Sequence, residues 1–158
     1  MAGRPRSIDR DRVLDAAEAI VALDGAAGLT FDAVARAAGI TKGGVQYCFG
    51  TKEGLLKAML DRWCETFDRD VAERAGGSTD PIDHVRAYVE ANRNSDDAEN
   101  SRSAVMLATL VQNRDQLAET RDWYRQQIGR TDPATEAGRK ARLAFMASEG
   151  IFFLRSFR

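Results

Sequence analysis

Apolar stripes of helical period alternate with short polar breaks along this chain. Val13, Ala16, Ala17, Ile20 and Val21 follow the i, i+3, i+4, i+7, i+8 spacing of one helix face, which predicts a first helix from near Ile8, capped by Ser7 and closed at Gly25. Thr30 is placed to cap a short second helix carrying Val34 and Ala38. Gly39 follows where a sharp turn needs positive φ, and Thr41 caps a third helix of similar length. After Gly50, Thr51 opens a longer fourth helix with the stripe Leu56, Met59, Leu60, Trp63, Phe67 and Val71, ending near Arg74.

Gly76-Gly77-Ser78 then breaks the pattern, and Asp80-Pro81 restarts it in the order of a cap followed by a first-turn proline. The fifth helix carries Ile82, Val85, Tyr88 and Val89. Asn92 to Ser103 reads as a loop or helix end, and Ala104 to Val111 is apolar nearly all round, the mark of a helix at the centre of a bundle. Leu117, Arg121, Tyr124 and Ile128 define a seventh helix. After Pro133 an eighth carries Leu143, Met146, Ala147, Gly150, Ile151 and Leu154 on one stripe, where the small residues 147 and 150 allow close helix approach. Strand-like alternation and internal repeats are lacking, so the predicted fold is all-α. It divides into a three-helix head, residues 1–53, and a helical-bundle body, residues 54–158.

Composition narrows the function rather than the fold. With 158 residues, 44% of them apolar and 30% charged, the chain can bury one compact core or a small module joined to a larger one, which excludes disorder as its main state. Proline occurs only at 5, 81 and 133. No apolar run approaches the ~20 residues of a membrane helix, and the first residues lack the apolar core of an export signal. Two cysteines, Cys48 and Cys64, and one histidine, His84, supply neither a zinc site nor a disulfide framework, so the expectation is a reduced cytoplasm without metal or cofactor. Lys and Arg number 23 against 24 Asp and Glu, and residues 1–53 carry seven of each sign. Any attraction to nucleic acid must therefore be local.

Thr30 to Leu56 supplies that local signal. Two helices of about two turns joined by Ala38-Gly39-Ile40 form a helix-turn-helix, whose second member can enter a major groove ~12 Å wide. Val34, Ala35, Ile40, Val45 and Phe49 face inward, which leaves Lys42, Gly43, Gln46 and Tyr47 facing out. Lysine donates to guanine edges or phosphate, glutamine pairs with adenine, and a tyrosine hydroxyl reaches phosphate. Gly43 and Gly44 each cost a helix about 0.5 to 1 kcal/mol relative to alanine, a cost that close approach to a DNA backbone would offset. Lys52 lies at a helix start, where the dipole favours anions, so a phosphate held there by free N–H groups would suit it. Arg4 and Arg6, in Gly3-Arg4-Pro5-Arg6, suit a minor groove.

This stretch resembles the DNA-binding head of the TetR family of transcriptional regulators. The resemblance runs from Val13-Leu14-Asp15-Ala16-Ala17 through Gly25, Leu29-Thr30, Val34-Ala35, Ala38-Gly39-Ile40-Thr41-Lys42-Gly43, Tyr47-Cys48-Phe49 and Lys52-Glu53-Gly54-Leu55. It extends faintly to Leu117, Trp123-Tyr124 and Glu149-Gly150-Ile151-Phe152-Phe153. It implies a homodimeric repressor, cytoplasmic and not an enzyme, that binds double-stranded operator DNA and is released by a small-molecule effector. Thr30, Thr41, Lys42, Gln46, Tyr47, Thr51 and Lys52 fall where the family contacts DNA. Gln46 stands where an aromatic is common, and Cys48 where His or Tyr is common. The family also implies a ninth helix pairing with the eighth in the dimer, for which residues up to Arg158 supply no sequence; a truncated chain and a differently built dimer both stay open.

Trp63, Phe67, Tyr88, Met106, Trp123, Phe145 and Phe152 are candidates to line an apolar effector cavity, although aromatic and Met residues at helical spacing are more often plain core; Asn92 and Thr109 either orient the ligand or cap and hydrogen-bond internally. The competing function is a small-molecule-binding or protein-interaction bundle whose head no longer binds DNA. No catalytic constellation accompanies these residues.

Overall fold

The computed structural model describes residues 8–93, 105 and 114–155. Among these there are seven helices: α1 (Arg10–Gly28), α2 (Phe31–Ala38), α3 (Lys42–Phe49), α4 (Lys52–Ala75), α5 (Pro81–Arg93), α6 (Arg114–Gly129) and α7 (Glu136–Arg155). The last two are the seventh and eighth helices of the sequence reading. Of the expected sixth only the buried, helical Val105 is described; Met106, Thr109, Arg4 and Arg6 lie outside the described residues. The chain forms two compact units, 1–61 and 62–158. α4 is unbroken from Lys52 to Ala75 and contributes residues to both.

In the first unit α1 begins two residues later than its periodicity suggested. The Asp9 carboxylate accepts from the N–H groups of Asp11 (3.1 Å) and Arg12 (3.2 Å), so Asp9 is the cap. Val13, Leu14, Ala17 and Val21 are buried; Gly25, expected to close the helix, instead interrupts it at φ 65° and ψ -170°, and a further stretch runs to Gly28. Leu29, Val34, Ala35, Ala38, Val45, Phe49, Leu55 and Met59 complete this core. On α4 it is Leu55 that is fully buried; Leu56 is only half-buried.

The second unit is built on α5 and α7. Val71, Val85, Ala87, Tyr88, Ala91, Ala141 and Phe145 form its core, with Phe67, Ile82, Trp123, Tyr124 and Ile128 packed against them. The Asp80 carboxylate accepts from the Ile82 N–H at 2.8 Å, which caps α5 ahead of Pro81. At the other end, Arg142 donates to the Thr131 carbonyl at 2.5 Å and to its hydroxyl at 3.1 Å, tying the α6–α7 connection to α7.

The stripe that the sequence marks on α7 for close helix approach is left uncovered within the unit. Leu143, Met146, Ala147, Gly150, Ile151 and Leu154 are all exposed, Leu143 and Leu154 to 66% and 67%. The face turned to the core is Gly138, Ala141, Phe145, Ser148 and Glu149, on the opposite side of the helix. The helix thus has two apolar faces, and only one is covered within the unit.

Candidate functional sites

The helix-turn-helix is closed by local hydrogen bonds. Thr30 Oγ1 accepts from Ala33 N at 3.2 Å and caps α2. At the other end Gly39 sits at φ 68°, ψ 35°; its N–H reaches the Arg36 carbonyl and the Ile40 N–H the Ala35 carbonyl at 3.0 Å, which is a Schellman turn. Thr41 Oγ1 then accepts from Gly44 N at 3.0 Å to start α3. After α3, Gly50 at φ 71°, ψ -69° forms a γ-turn, with Thr51 N–H donating to the Phe49 carbonyl at 2.8 Å. A side chain would strain that conformation, and a Cβ at Gly54 would collide with the same Phe49 carbonyl oxygen. The angle at which α3 is presented is therefore set by a few adjacent residues.

The division of α3 into an anchored and an outward face follows. Val45 and Phe49 are buried, and the Arg10 guanidinium stacks over the Phe49 ring, 4.8 Å from its centroid. Lys42, Gly43, Gln46 and Tyr47 are exposed, Tyr47 to 87%, as are Thr30, Thr41, Thr51 and Lys52.

The two glycines of α3 separate. A Cβ on Gly44 would lie 3.1 Å from Ile8 Cδ1 and 3.4 Å from Ile40 Cδ1, so close packing inside the head accounts for it. A Cβ on Gly43 would meet nothing nearer than Thr41 Oγ1 at 3.9 Å. Internal packing leaves the cost of Gly43 without an offset.

Two charges differ from the simple picture of a positive edge. Lys42 Nζ pairs with Asp32 Oδ2 at 2.7 Å across the turn, so its charge is locally compensated. The N-terminus of α4 already has an anion in Glu53, whose carboxyl is held below the usual range by its own backbone N–H and by the Thr51 hydroxyl. Asp32 and Glu53 were not among the expected site residues. The signal for Asp32 was only its position on the outward side of α2.

In the second unit, four of the expected ligand-binding residues form one aromatic cluster. Tyr88 lies 4.8 Å from Phe145, 5.0 Å from Phe67 and 6.1 Å from Trp123 between ring centroids. Tyr124 joins through Trp123 at 4.9 Å and Phe145 at 6.2 Å. Phe152 stacks edge-on against Phe153 instead, and Trp63 is half-buried on α4.

At the centre of the cluster is Glu149, buried on α7. The Tyr88 hydroxyl donates to Oε1 at 2.5 Å, the Tyr124 hydroxyl donates to Oε2, and Asn92 Nδ2 reaches both Ser148 Oγ (3.0 Å) and Glu149 Oε1 (3.3 Å). Burial first, and then the adjacent carboxylate, push both phenols well above the usual tyrosine range, so they remain protonated donors. Sequence reasoning missed Glu149 and Tyr124 as site residues. The available signal was a glutamate four residues after Phe145 and three before Phe152, on the face those two phenylalanines share.

A helix-turn-helix held by capped turns, followed by an all-helical bundle, places the chain in the class of helical proteins with a head suited to duplex DNA. Two family models match it, one described as bacterial regulatory proteins of the tetR family over residues 13–59, the other as a tetracyclin repressor-like C-terminal domain over residues 83–158. The chain belongs to the TetR family. A curated relative, the HTH-type transcriptional regulator BetI of Paraburkholderia xenovorans (strain LB400), is 39% identical over 111 residues, which is 67% of this chain and 53% of that protein. The chain thus spans about half the length of the curated relatives it matches. Among solved structures, the multidrug binding protein EbrR in complex with imidazole is 28% identical with a TM-score of 0.67, covering 95% of this chain and 82% of that one. The TetR family regulator CifR, solved with a 26-base-pair operator duplex, shares the fold at 21% identity and a TM-score of 0.59, covering 99% and 91%.

Proposed function

We propose that this chain is a DNA-binding transcriptional regulator, a cytoplasmic repressor that holds a palindromic operator through α3 as a homodimer and is released by a small molecule bound in its body. Gly43 carries the reading. It sits in the first turn of the exposed helix, costs helical stability, and has no neighbour that needs its lack of a side chain, so an external backbone is the remaining reason for it. Gln46 and Tyr47 stand beside it on the outward face, with Lys52 at the start of the next helix, as base and phosphate ligands would. That CifR was solved on operator DNA supports the same use of the fold.

The exposed apolar face of α7 supports that helix as the dimer seam, which a two-fold protein needs to span half-sites about one helical turn, ~34 Å, apart. A Cβ at Gly150 would meet nothing within 4 Å, so Gly150→Arg should fold as a monomer and lose both the dimer and operator binding in light scattering and gel shift. The body's aromatic cluster is the effector site in this reading. α4 contributes to both units, so a ligand that shifts it also shifts the edge beside α3, and a hundredfold loss of operator affinity needs a coupling of only about 2.7 kcal/mol.

The deciding experiment is selection of bound sequences from random duplex DNA with the purified protein. A palindromic consensus is expected, and Gln46→Ala should flatten preference at one position per half-site while Lys52→Ala weakens binding to all sequences alike. Enrichment of no sequence would leave the alternative, a ligand- or protein-binding bundle whose head does not read DNA.

A further inference from the structure

Lys42 and Asp32 form a charge pair on the side of the head that the DNA-binding reading turns to the duplex. Lys42 opens α3, Asp32 lies in the first turn of α2, and Lys42 Nζ stands 2.7 Å from Asp32 Oδ2 across the turn that joins the helices. The two side chains keep 60% and 58% of their surface exposed, so the pair adds little to the stability of the head. A carboxylate on a surface turned to a polyanion also weakens binding to every duplex, since it repels phosphate and compensates the lysine. Asp32 is explained only by a partner that donates to it. Phosphate offers no donor; in the major groove the donors are cytosine N4–H and adenine N6–H.

Resting on the DNA-binding reading above, we propose that Asp32 and Lys42 act as one reader of a single base pair, a G·C pair with its guanine on the Lys42 side. Guanine O6 and cytosine N4 are joined in that pair by an N–H···O bond, so an acceptor and a donor lie about 2.9 Å apart at the groove, which matches the 2.7 Å between Nζ and Oδ2. The ammonium donates to O6 and, with a second proton, to N7, while the carboxylate accepts from cytosine N4–H. A T·A pair keeps the order of acceptor then donor. It sets the thymine methyl where guanine offers N7, so the ammonium loses one acceptor. A·T and C·G reverse the order: the ammonium meets an N–H and the carboxylate meets a carbonyl oxygen, and both encounters are repulsive. The ranking is therefore G·C, then T·A, with A·T and C·G last. Gln46 lies four residues after Lys42 on the same exposed face, about 6 Å along α3, which is one to two base-pair steps of about 3.4 Å. The G·C position should adjoin the one that Gln46 reads.

The test uses the full chain and the palindrome it selects from random duplex DNA, rebuilt with each of the four base pairs at the positions beside the one that Gln46→Ala flattens. Competition gel shifts with the wild type should show the ranking at one position per half-site, with G·C favoured over C·G by at least about tenfold. Asp32→Ala and Lys42→Ala should each bring that ratio to within about twofold at the same position, and the double variant should go no further, because either loss dissolves the unit. Asp32→Ala should in addition bind an unrelated duplex more tightly. Should a variant lose its helical circular dichroism, the wild-type ranking decides alone. If Lys42→Ala weakens all duplexes alike, the lysine is a phosphate ligand and the inference is overturned. A ranking that survives in folded Asp32→Ala overturns it as well, leaving Asp32 as a compensating charge, and so does a wild type that prefers another base pair at these positions. In each of those outcomes a palindrome has been selected and the operator reading stands. Enrichment of no sequence is a different failure, which removes that reading and this inference together.

Discussion

The turn between α2 and α3 and the cluster around Glu149 are stabilised in opposite ways. The cap and backbone bonds that close the turn join residues at most five positions apart, Thr30 to Ala33, Ala35 to Ile40 and Thr41 to Gly44, with the exposed Lys42–Asp32 pair added across it. The bonds on Glu149 come from Tyr88, 61 residues earlier, from Asn92, 57 earlier, and from Tyr124, 25 earlier. In the proposed function the head must keep its shape whatever an effector does, and local closure gives it that independence. An effector acting at the cluster would gain from the reverse, since bonds from α5 and α6 onto α7 make the packing of those helices sensitive to what occupies the centre.

The comparison can be broken by experiments that read the two regions apart. Both tryptophans, Trp63 and Trp123, belong to the second unit, so Trp fluorescence follows the body while circular dichroism follows all helices. The largest effect should come from Gly54→Ala, which drives a Cβ into the Phe49 carbonyl and should cost the head about 3 kcal/mol. Urea unfolding should then show an early loss of helix that precedes the Trp transition; a single coincident transition would mean that the head is not closed on its own. Next is Tyr88→Phe, which removes one of the donors on a buried carboxylate and should cost about 2 kcal/mol, this time in the Trp transition.

Smaller effects sharpen the contrast within the head. Thr41→Ala removes the α3 cap and should lower stability by about 1 kcal/mol, with Thr41→Ser restoring most of it. Gly43→Ala should do the reverse, gaining about 0.5 to 1 kcal/mol in thermal unfolding while weakening operator binding in a gel shift. If the alanine variant bound DNA as well as the wild type, Gly43 would not mark a backbone approach. The smallest stability change belongs to Asp32→Asn, which frees Lys42 from an exposed ion pair worth less than about 1 kcal/mol. Its readout is DNA affinity, which should rise, with a steeper dependence on salt as Lys42 becomes available to phosphate.

How much was legible from sequence follows the same division. Thr30, Thr41 and Thr51 could be read as caps, and Gly39 as a turn, because each acts on its own neighbours; the outward set Lys42, Gly43, Gln46 and Tyr47 followed from the spacing of Val45 and Phe49. The first helix start was off by two residues because Asp9 competes with Ser7 as a capping type, and composition does not choose between adjacent candidates.

In the body, periodicity identified the helices and not their partners. α7 is apolar on both sides, so its sequence marks two stripes equally well, and only packing against α5 decides that Ala141 and Phe145 turn inward while Leu143 and Leu154 remain exposed. The Lys42–Asp32 pair and the bonds to Glu149 belong to the same category. The chain by itself determined where helices begin, end and turn, since those choices are settled by bonds between near neighbours. The identity of the residues that meet across helices was decided by tertiary structure, because a stripe records that a face is apolar and carries no information on what will cover it.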